Sequence, residues 1–224
     1  MSPRIVKNVP LIAILKEYGE LLFWRIRRLQ EGGRLNNEYY KYYYTSGFSL
    51  SMQDYENKKI LDIGCGPKGS LEWADQSAKR IGLDPLAASY MKIGADKHQM
   101  EYIKGYAEEM PFGNDHFDFV CSFNNLDHVN DLQQTCKEIY RVLKPGGLFL
   151  LMVEIHAKPT TTEPQSLPWS LLKDYFPEME VLEEGHYENV VKNRMYSNSC
   201  WAEPLKNPEK QDGMLKAKLR KPLN

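Results

Sequence analysis

The stretch Lys59-Ile60-Leu61-Asp62-Ile63-Gly64-Cys65-Gly66-Pro67-Lys68-Gly69, followed a helix-length later by Gly82-Leu83-Asp84-Pro85, constrains this chain more than any other part of it. An apolar run ends at an acidic residue and breaks into glycines. A second acidic residue follows about twenty positions past the first glycine. That layout describes a nucleotide-cofactor pocket at the edge of a parallel sheet.

The surrounding pattern agrees. From Lys59 onward, strand-like and helix-like segments alternate, as in an α/β fold. Strands are expected over 59–63, 80–83, 101–103, 117–122 and 148–155, and helices over 70–79, 86–97 and 131–143. Lys144-Pro145-Gly146-Gly147 stops the last helix and turns the chain. The 148–155 strand is almost wholly apolar, as a strand buried on both faces should be. A polar loop spans 160–164, and a short helix is expected over 169–176. Two final strands, 178–182 and 195–203, have little helix between them and are expected to pair antiparallel.

Upstream, residues 11–30 carry apolar side chains at helical spacing: Leu11, Ile14, Leu15, Tyr18, Leu21, Leu22, Ile26 and Leu29. Arg25, Arg27 and Arg28 lie on the other face. That face is expected to be solvated, with a membrane surface or a partner as the alternative contact. The expected organisation is a helical cap over 1–57, a cofactor-binding domain over 58–204, and a polar, basic, loosely attached tail over 205–224.

With 29 Lys plus Arg against 30 Asp plus Glu, the chain has no basic surplus, which argues against nucleic acid as a partner. The four cysteines, at 65, 121, 136 and 200, include no C-x-x-C pair and read as reduced thiols. No apolar run approaches the roughly 20 residues that span a bilayer, so a cytoplasmic protein without stable membrane insertion is expected. The arginine-bearing first helix is a candidate homodimer contact.

Gly64, Gly66 and Gly69 satisfy G-x-G-x-x-G, which alone suggests NAD, but weakly. Asp62, two residues before the first glycine, would repel a pyrophosphate and suits an ammonium group. Pro67 removes a backbone donor that a pyrophosphate would use. S-adenosylmethionine has no phosphates and carries an amino-acid head, so it fits better. Gly64, Cys65 and Gly66 let the backbone approach that head. Asp84 can accept hydrogen bonds from both ribose hydroxyls, with Pro85 beside the adenine.

Ile60-Leu61-Asp62-Ile63-Gly64-Cys65-Gly66, Leu83-Asp84, Ala107-Glu108-Glu109-Met110-Pro111-Phe112, Phe117-Asp118-Phe119-Val120 and Glu138-Ile139-Tyr140-Arg141-Val142-Leu143-Lys144-Pro145-Gly146-Gly147 follow in order. Together they resemble the class I S-adenosylmethionine-dependent methyltransferases, in the type 11-like branch that modifies small molecules. The resemblance covers about residues 59–153. It implies a Rossmann-like three-layer sandwich, with a seven-stranded, mostly parallel sheet and an antiparallel last strand. It places Ala107 and Glu108 by the adenine and the segment after the fourth strand by the sulfonium. It gives the acceptor pocket to the cap and to the region after Pro159.

In a parallel sheet the reactive centre lies beyond the carboxyl ends of the strands. Two loop tips should meet there: Phe123-Asn124-Asn125-Leu126-Asp127-His128, and Glu154-Ile155-His156. His128 is the leading general-base candidate, with Asp127 as its orienting carboxylate or as a helix cap. Relatives carry a histidine near this position, usually after another histidine rather than an aspartate. His156 is a second candidate. Glu154 and His156, with Asp127, His128 and His186, could form a divalent-metal set, but no tight ligand motif is present and no metal is expected. Asn124 can bond the cofactor head, and Asn125 the head or the acceptor. Tyr39, Tyr43, Tyr44 and Trp169 are candidates for an aromatic acceptor wall. The expected reaction is methyl transfer to a hydroxyl of a small molecule such as a sugar or a secondary metabolite. The alternatives are transfer to an amine, a non-catalytic cofactor-binding protein, and a nicotinamide-dependent oxidoreductase.

Overall fold

A computed structural model describes residues 11–32, 35, 40–156, 158, 165–188, 204–206 and 212–223, with the side chains of 11–17 left aside. The strands are β1 (Lys59–Ile63), β2 (Lys79–Asp84), β3 (Glu101–Lys104), β4 (Phe117–Phe123), β5 (Leu143–Ile155), β6 (Glu180–Glu188) and β7 (Gly213–Arg220). They form one sheet in the order β3-β2-β1-β4-β5-β7-β6. β1 to β5 pair in parallel, and β7 inserts antiparallel between β5 and β6. The strand order reverses beside β1, between β1 and β4, which is where an open α/β sheet binds its ligand.

The two faces follow from alternation along the strands. Leu61, Ile63, Leu151, Val153 and Ile155 point into one apolar cluster with α4 (Leu132–Val142) and α5 (Leu171–Tyr175). Ile60, Cys121, Leu150 and Met152 point into the other, with Tyr43 and Tyr44 of α2 (Tyr40–Tyr44), Phe48 and Tyr55. A third, smaller cluster joins α1 (Leu11–Gln30) to α3 (Ala87–Met91) through Leu21, Trp24, Leu86 and Tyr90.

Several sequence expectations need correction. Residues 70–78 form turns and bends, not a helix, and Lys79 already opens β2. Arg80 Nη1 donates to the carbonyls of Leu71 and Glu72 at 3.3 and 2.7 Å, and Trp73 Nε1 donates to Ser70 O at 2.9 Å. Side chains thus satisfy carbonyls that a helix ladder would otherwise use. The helix expected over 86–97 is shorter, α3 followed by a 3-10 turn at Ala95–Lys97. Lys144 to Gly147 bulge out within β5, since Phe117 pairs with Leu143 and Phe119 with Leu148.

The expected tail is the largest correction. Gly213–Arg220 is an interior strand, and Lys221 is buried. Leu215, Ala217 and Leu219 fill the α4-side core. The lysines that made this segment look like a tail lie on the other face. Lys216 pairs with Glu183 of β6 and sits over the Phe48 ring, and Lys218 Nζ donates to Phe48 O at 2.7 Å. Their stems cover the sheet while their charges are met locally. The other expected last strand, 195–203, lies outside the described residues.

On α1, Arg25 and Arg27 are exposed as expected, but the apolar stripe is only partly covered. Leu21 and Trp24 point at the domain, whereas Tyr18, Leu22, Ile26 and Leu29 are exposed.

Candidate functional site

The loop after β1 carries Gly64, Gly66 and Gly69, all at positive φ (69°, 59° and 71°). A Cβ at Gly64 would stand 2.3 Å from Asn125 Oδ1, so this glycine lets the loop after β4 close onto the loop after β1. Asn125 therefore sits against the glycine loop. Asn124, just before it, is itself left-handed at φ 53° and donates its N–H to Met152 O at 2.7 Å.

Asp62 is buried at the end of β1. Its Oδ2 accepts from Tyr44 Oη at 3.0 Å and from Ser70 Oγ. Burial pushes its pKa up to about 7, against the lowering effect of both hydroxyls. Asp84, buried at the end of β2, accepts from Leu86 N at 2.8 Å and from Gly66 N at 3.2 Å. Burial, and then the charge of Glu20, raise it to about 7 against those N–H groups. Asp84 thus ties the end of β2 to the glycine loop, with Pro85 beside it. Cys65 is buried, and burial pushes its thiol well above the ordinary range, so it is an unreactive packing group.

The cap also reaches this loop. Trp24 Cζ2 lies 3.5 Å from the point where a Cβ of Gly66 would stand. Its Nε1 is buried with no acceptor among the described residues. Tyr90 Oη donates to Glu20 Oε1 at 3.1 Å, and Lys68 Nζ to Glu31 Oε1 at 2.8 Å, fastening α1 across the loop. Sequence reasoning missed Trp24, Glu20, Ser70 and Tyr90. Only Ser70, next to the last glycine, carried a local signal; the others meet the loop through tertiary folding alone.

Ala107 is buried, and Glu108 Oε1 accepts from Asn130 N at 2.6 Å and Asp131 N at 3.3 Å. That carboxylate joins the segment after β3 to the start of α4, where Asp131 caps the helix by accepting from Gln134 N. The next motif residues are structural. Glu138 accepts from Met110 N and is gripped by Arg141, whose Nη1 and Nη2 also donate to the carbonyls of Phe112 and Met110.

On the acceptor side, His128 follows β4 and His156 follows β5, at the same end of two neighbouring parallel strands. Residues 165 and 166 stitch the two loops together. Gln165 N donates to Asp127 O at 3.1 Å, and Ser166 Oγ to His156 O at 2.9 Å. His128 Nε2 lies 3.9 Å from Oδ1 of the fully buried Asp127, and its side chain is 31% exposed. His156 Nδ1 bonds Lys158 O at 2.7 Å, which requires the proton on Nδ1 and leaves Nε2 as the basic atom.

Tyr43 and Tyr44 are buried, with the Tyr44 ring 4.5 Å from that of Phe123. Trp169 packs on His186 and over Gly213 at the β5–β7 edge. Tyr39 lies outside the described residues. Among the described residues no three His, Cys, Asp or Glu side chains form a metal-ligating group, so Glu154, His156, Asp127, His128 and His186 are not brought together as one.

A reversed-order parallel sheet, a positive-φ glycine loop and an acid at the end of each of the first two strands define a nucleotide-cofactor domain. Residues 61–151 match the family described as methyltransferase domain. The chain is 34% identical over 108 residues to a demethylmenaquinone methyltransferase from Listeria welshimeri, covering 43% of this chain and 44% of that one. It is 35% identical over 104 residues to a sterol 24-C-methyltransferase from Aspergillus fumigatus, covering 42% and 27%. The chain thus spans less than half the length of these curated relatives. The fold resembles that of a SAM-dependent methyltransferase, possible histamine N-methyltransferase, from Thermotoga maritima. The TM-score is 0.60 at 20% identity, covering 90% of this chain and 97% of that one.

Proposed function

We propose that this protein transfers a methyl group from S-adenosylmethionine to a small-molecule acceptor, with a hydroxyl oxygen as the accepting atom and His128 as general base. The observation that carries the cofactor assignment is the joint geometry of Gly64, Gly66, Asp62 and Asp84. Bare backbone lies between two buried carboxyls whose raised pKa values favour partners bringing positive charge or hydroxyl donors. Asp62 suits the ammonium of the amino-acid head, Asp84 the ribose hydroxyls, and the Trp24 N–H a further acceptor atom of the same ligand. When bound, the cofactor supplies an electrophilic methyl on a sulfonium.

The chain's own residues do the rest. Asn124 and Asn125 orient the head and the acceptor. His128, backed by Asp127, takes the acceptor proton as the new bond forms, and His156 Nε2 holds the acceptor from the neighbouring loop. Alignment of the reacting atoms supplies much of the rate in such a displacement.

Isothermal titration with S-adenosylhomocysteine and with NADH tests the cofactor. Saturable binding of NADH alone would sink the assignment. For the base, His128→Ala is expected to lower kcat by about 10²–10⁴ with S-adenosylhomocysteine binding intact. An unchanged kcat removes His128 from that role. Mass and NMR analysis of the methylated product separates oxygen from nitrogen, and from carbon, the acceptor atom that the name of the Aspergillus relative carries.

A further inference from the structure

The outward face of α1 is apolar, and its border is basic. Tyr18, Leu22, Phe23, Ile26 and Leu29 are 73%, 58%, 51%, 47% and 79% exposed. At about 100° per residue, these five fall within an arc of about 140°. Arg27 lies about 40° beyond one border of the arc and Arg25 about 20° beyond the other. Both arginines are exposed, and Arg27 leans over the Phe23 ring at 5.7 Å.

The acidic groups next to them are turned the other way. Glu20 accepts from Tyr90 and Glu31 from Lys68, both on the domain side. The opposite face holds Leu21 and Trp24 against the domain, so α1 is fixed with its apolar stripe outward.

We propose that this face docks on an anionic lipid surface. Side chains of this kind bury a few ångströms into the headgroup boundary while flanking arginines meet lipid phosphates. The charge pattern selects lipid over a second copy of the chain, because a two-fold contact through the stripe would bring Arg25 and Arg27 of both copies together. No helix among the described residues is long and apolar enough to cross a membrane, so the contact is peripheral. It does not depend on methyl transfer.

The test is flotation of the full chain with vesicles of phosphatidylcholine alone and of phosphatidylcholine with phosphatidylglycerol, at low and high salt. The wild type is expected to float with the anionic vesicles and to be released by salt. Arg25→Gln/Arg27→Gln is expected to partition roughly thirtyfold less, from about 1 kcal/mol per basic residue at an anionic surface. Leu22→Ser/Ile26→Ser/Leu29→Ser is expected to stay at the bottom of the gradient, with wild-type circular dichroism. The proposal is overturned if the wild type floats with neither vesicle, or if either variant floats as well as the wild type. It is also overturned if light scattering gives a dimer that the serine variant dissociates. If the serine variant fails to fold, the arginine pair decides. Because S-adenosylhomocysteine titration reads the cofactor site separately, a failure here leaves the methyltransferase reading standing, and the reverse holds.

Discussion

Asp62 and Asp84 carry the same chemistry into two different jobs. Each ends a strand, each is buried, and each is raised to about 7 mainly by that burial. Because the folded pKa lies above the ordinary 3.8, the folded protein holds protons that the unfolded chain has lost. These two carboxyls therefore subtract stability as pH rises from about 4 to about 7, and no further above it. A ligand bringing an ammonium and hydroxyl donors favours the carboxylates. Affinity for S-adenosylhomocysteine is expected to rise with pH up to about 7 and then level. Calorimetry in buffers of different ionisation enthalpy should show proton release below that point. Asp84→Asn is expected to weaken binding by about tenfold to a hundredfold, the worth of hydrogen bonds to a charged acceptor. Titration at pH 8 reads this directly, and unchanged affinity would remove Asp84 from the ribose site. Both acids were legible in the sequence, because a strand-end carboxylate next to glycine is a local pattern. Tyr44 and Ser70, which bond Asp62, are not legible as its partners: the Tyr44 bond spans 18 residues and depends on where α2 packs, and the Ser70 bond spans 8 and depends on how the glycine loop turns back.

Among the elements, the turns at 70–77 replace an expected helix, and Arg80 explains why. Its guanidinium holds the Glu72 carbonyl and shares the Leu71 carbonyl with Ala74 N. Arg80→Ala is expected to cost about 1–3 kcal/mol, seen as a lower urea midpoint with an unchanged slope. A midpoint equal to wild type would mean that water replaces the guanidinium fully. Periodicity finds α4, but its cap is Asp131, which accepts from Gln134 N, and not Asp127, which the sequence offers as a helix cap. Periodicity also finds α1 as a helix with a solvated arginine face, but not that most of its apolar stripe is exposed as well. An apolar stripe records that a helix is amphipathic, and not what the stripe meets.

At the scale of the whole molecule, β7 holds the sheet together. It is the antiparallel bridge between β5 and β6, and Leu215, Ala217 and Leu219 are fully buried. Leu215→Ala is expected to cost about 2–5 kcal/mol, a core-sized loss from a segment that reads as a charged tail. A thermal melt with the wild-type midpoint would show that the strand is peripheral. Its two lysines, at 216 and 218, and Lys221 just past it are each met by an acid or a carbonyl: Glu183, Phe48 O, and Asp115 with Tyr140 O and Leu143 O.

The sequence alone determined the parallel βα core, the glycine loop, its two acids and the cofactor class, because each rests on residues adjacent in the chain or on strict alternation. Tertiary structure decided the interior place of β7, the roof that Trp24 makes over Gly66, and the outward turn of α1. Each of these depends on the partner that distant residues supply: an acid for a lysine, a glycine loop for an indole, and a domain surface that takes one face of a helix and leaves the other.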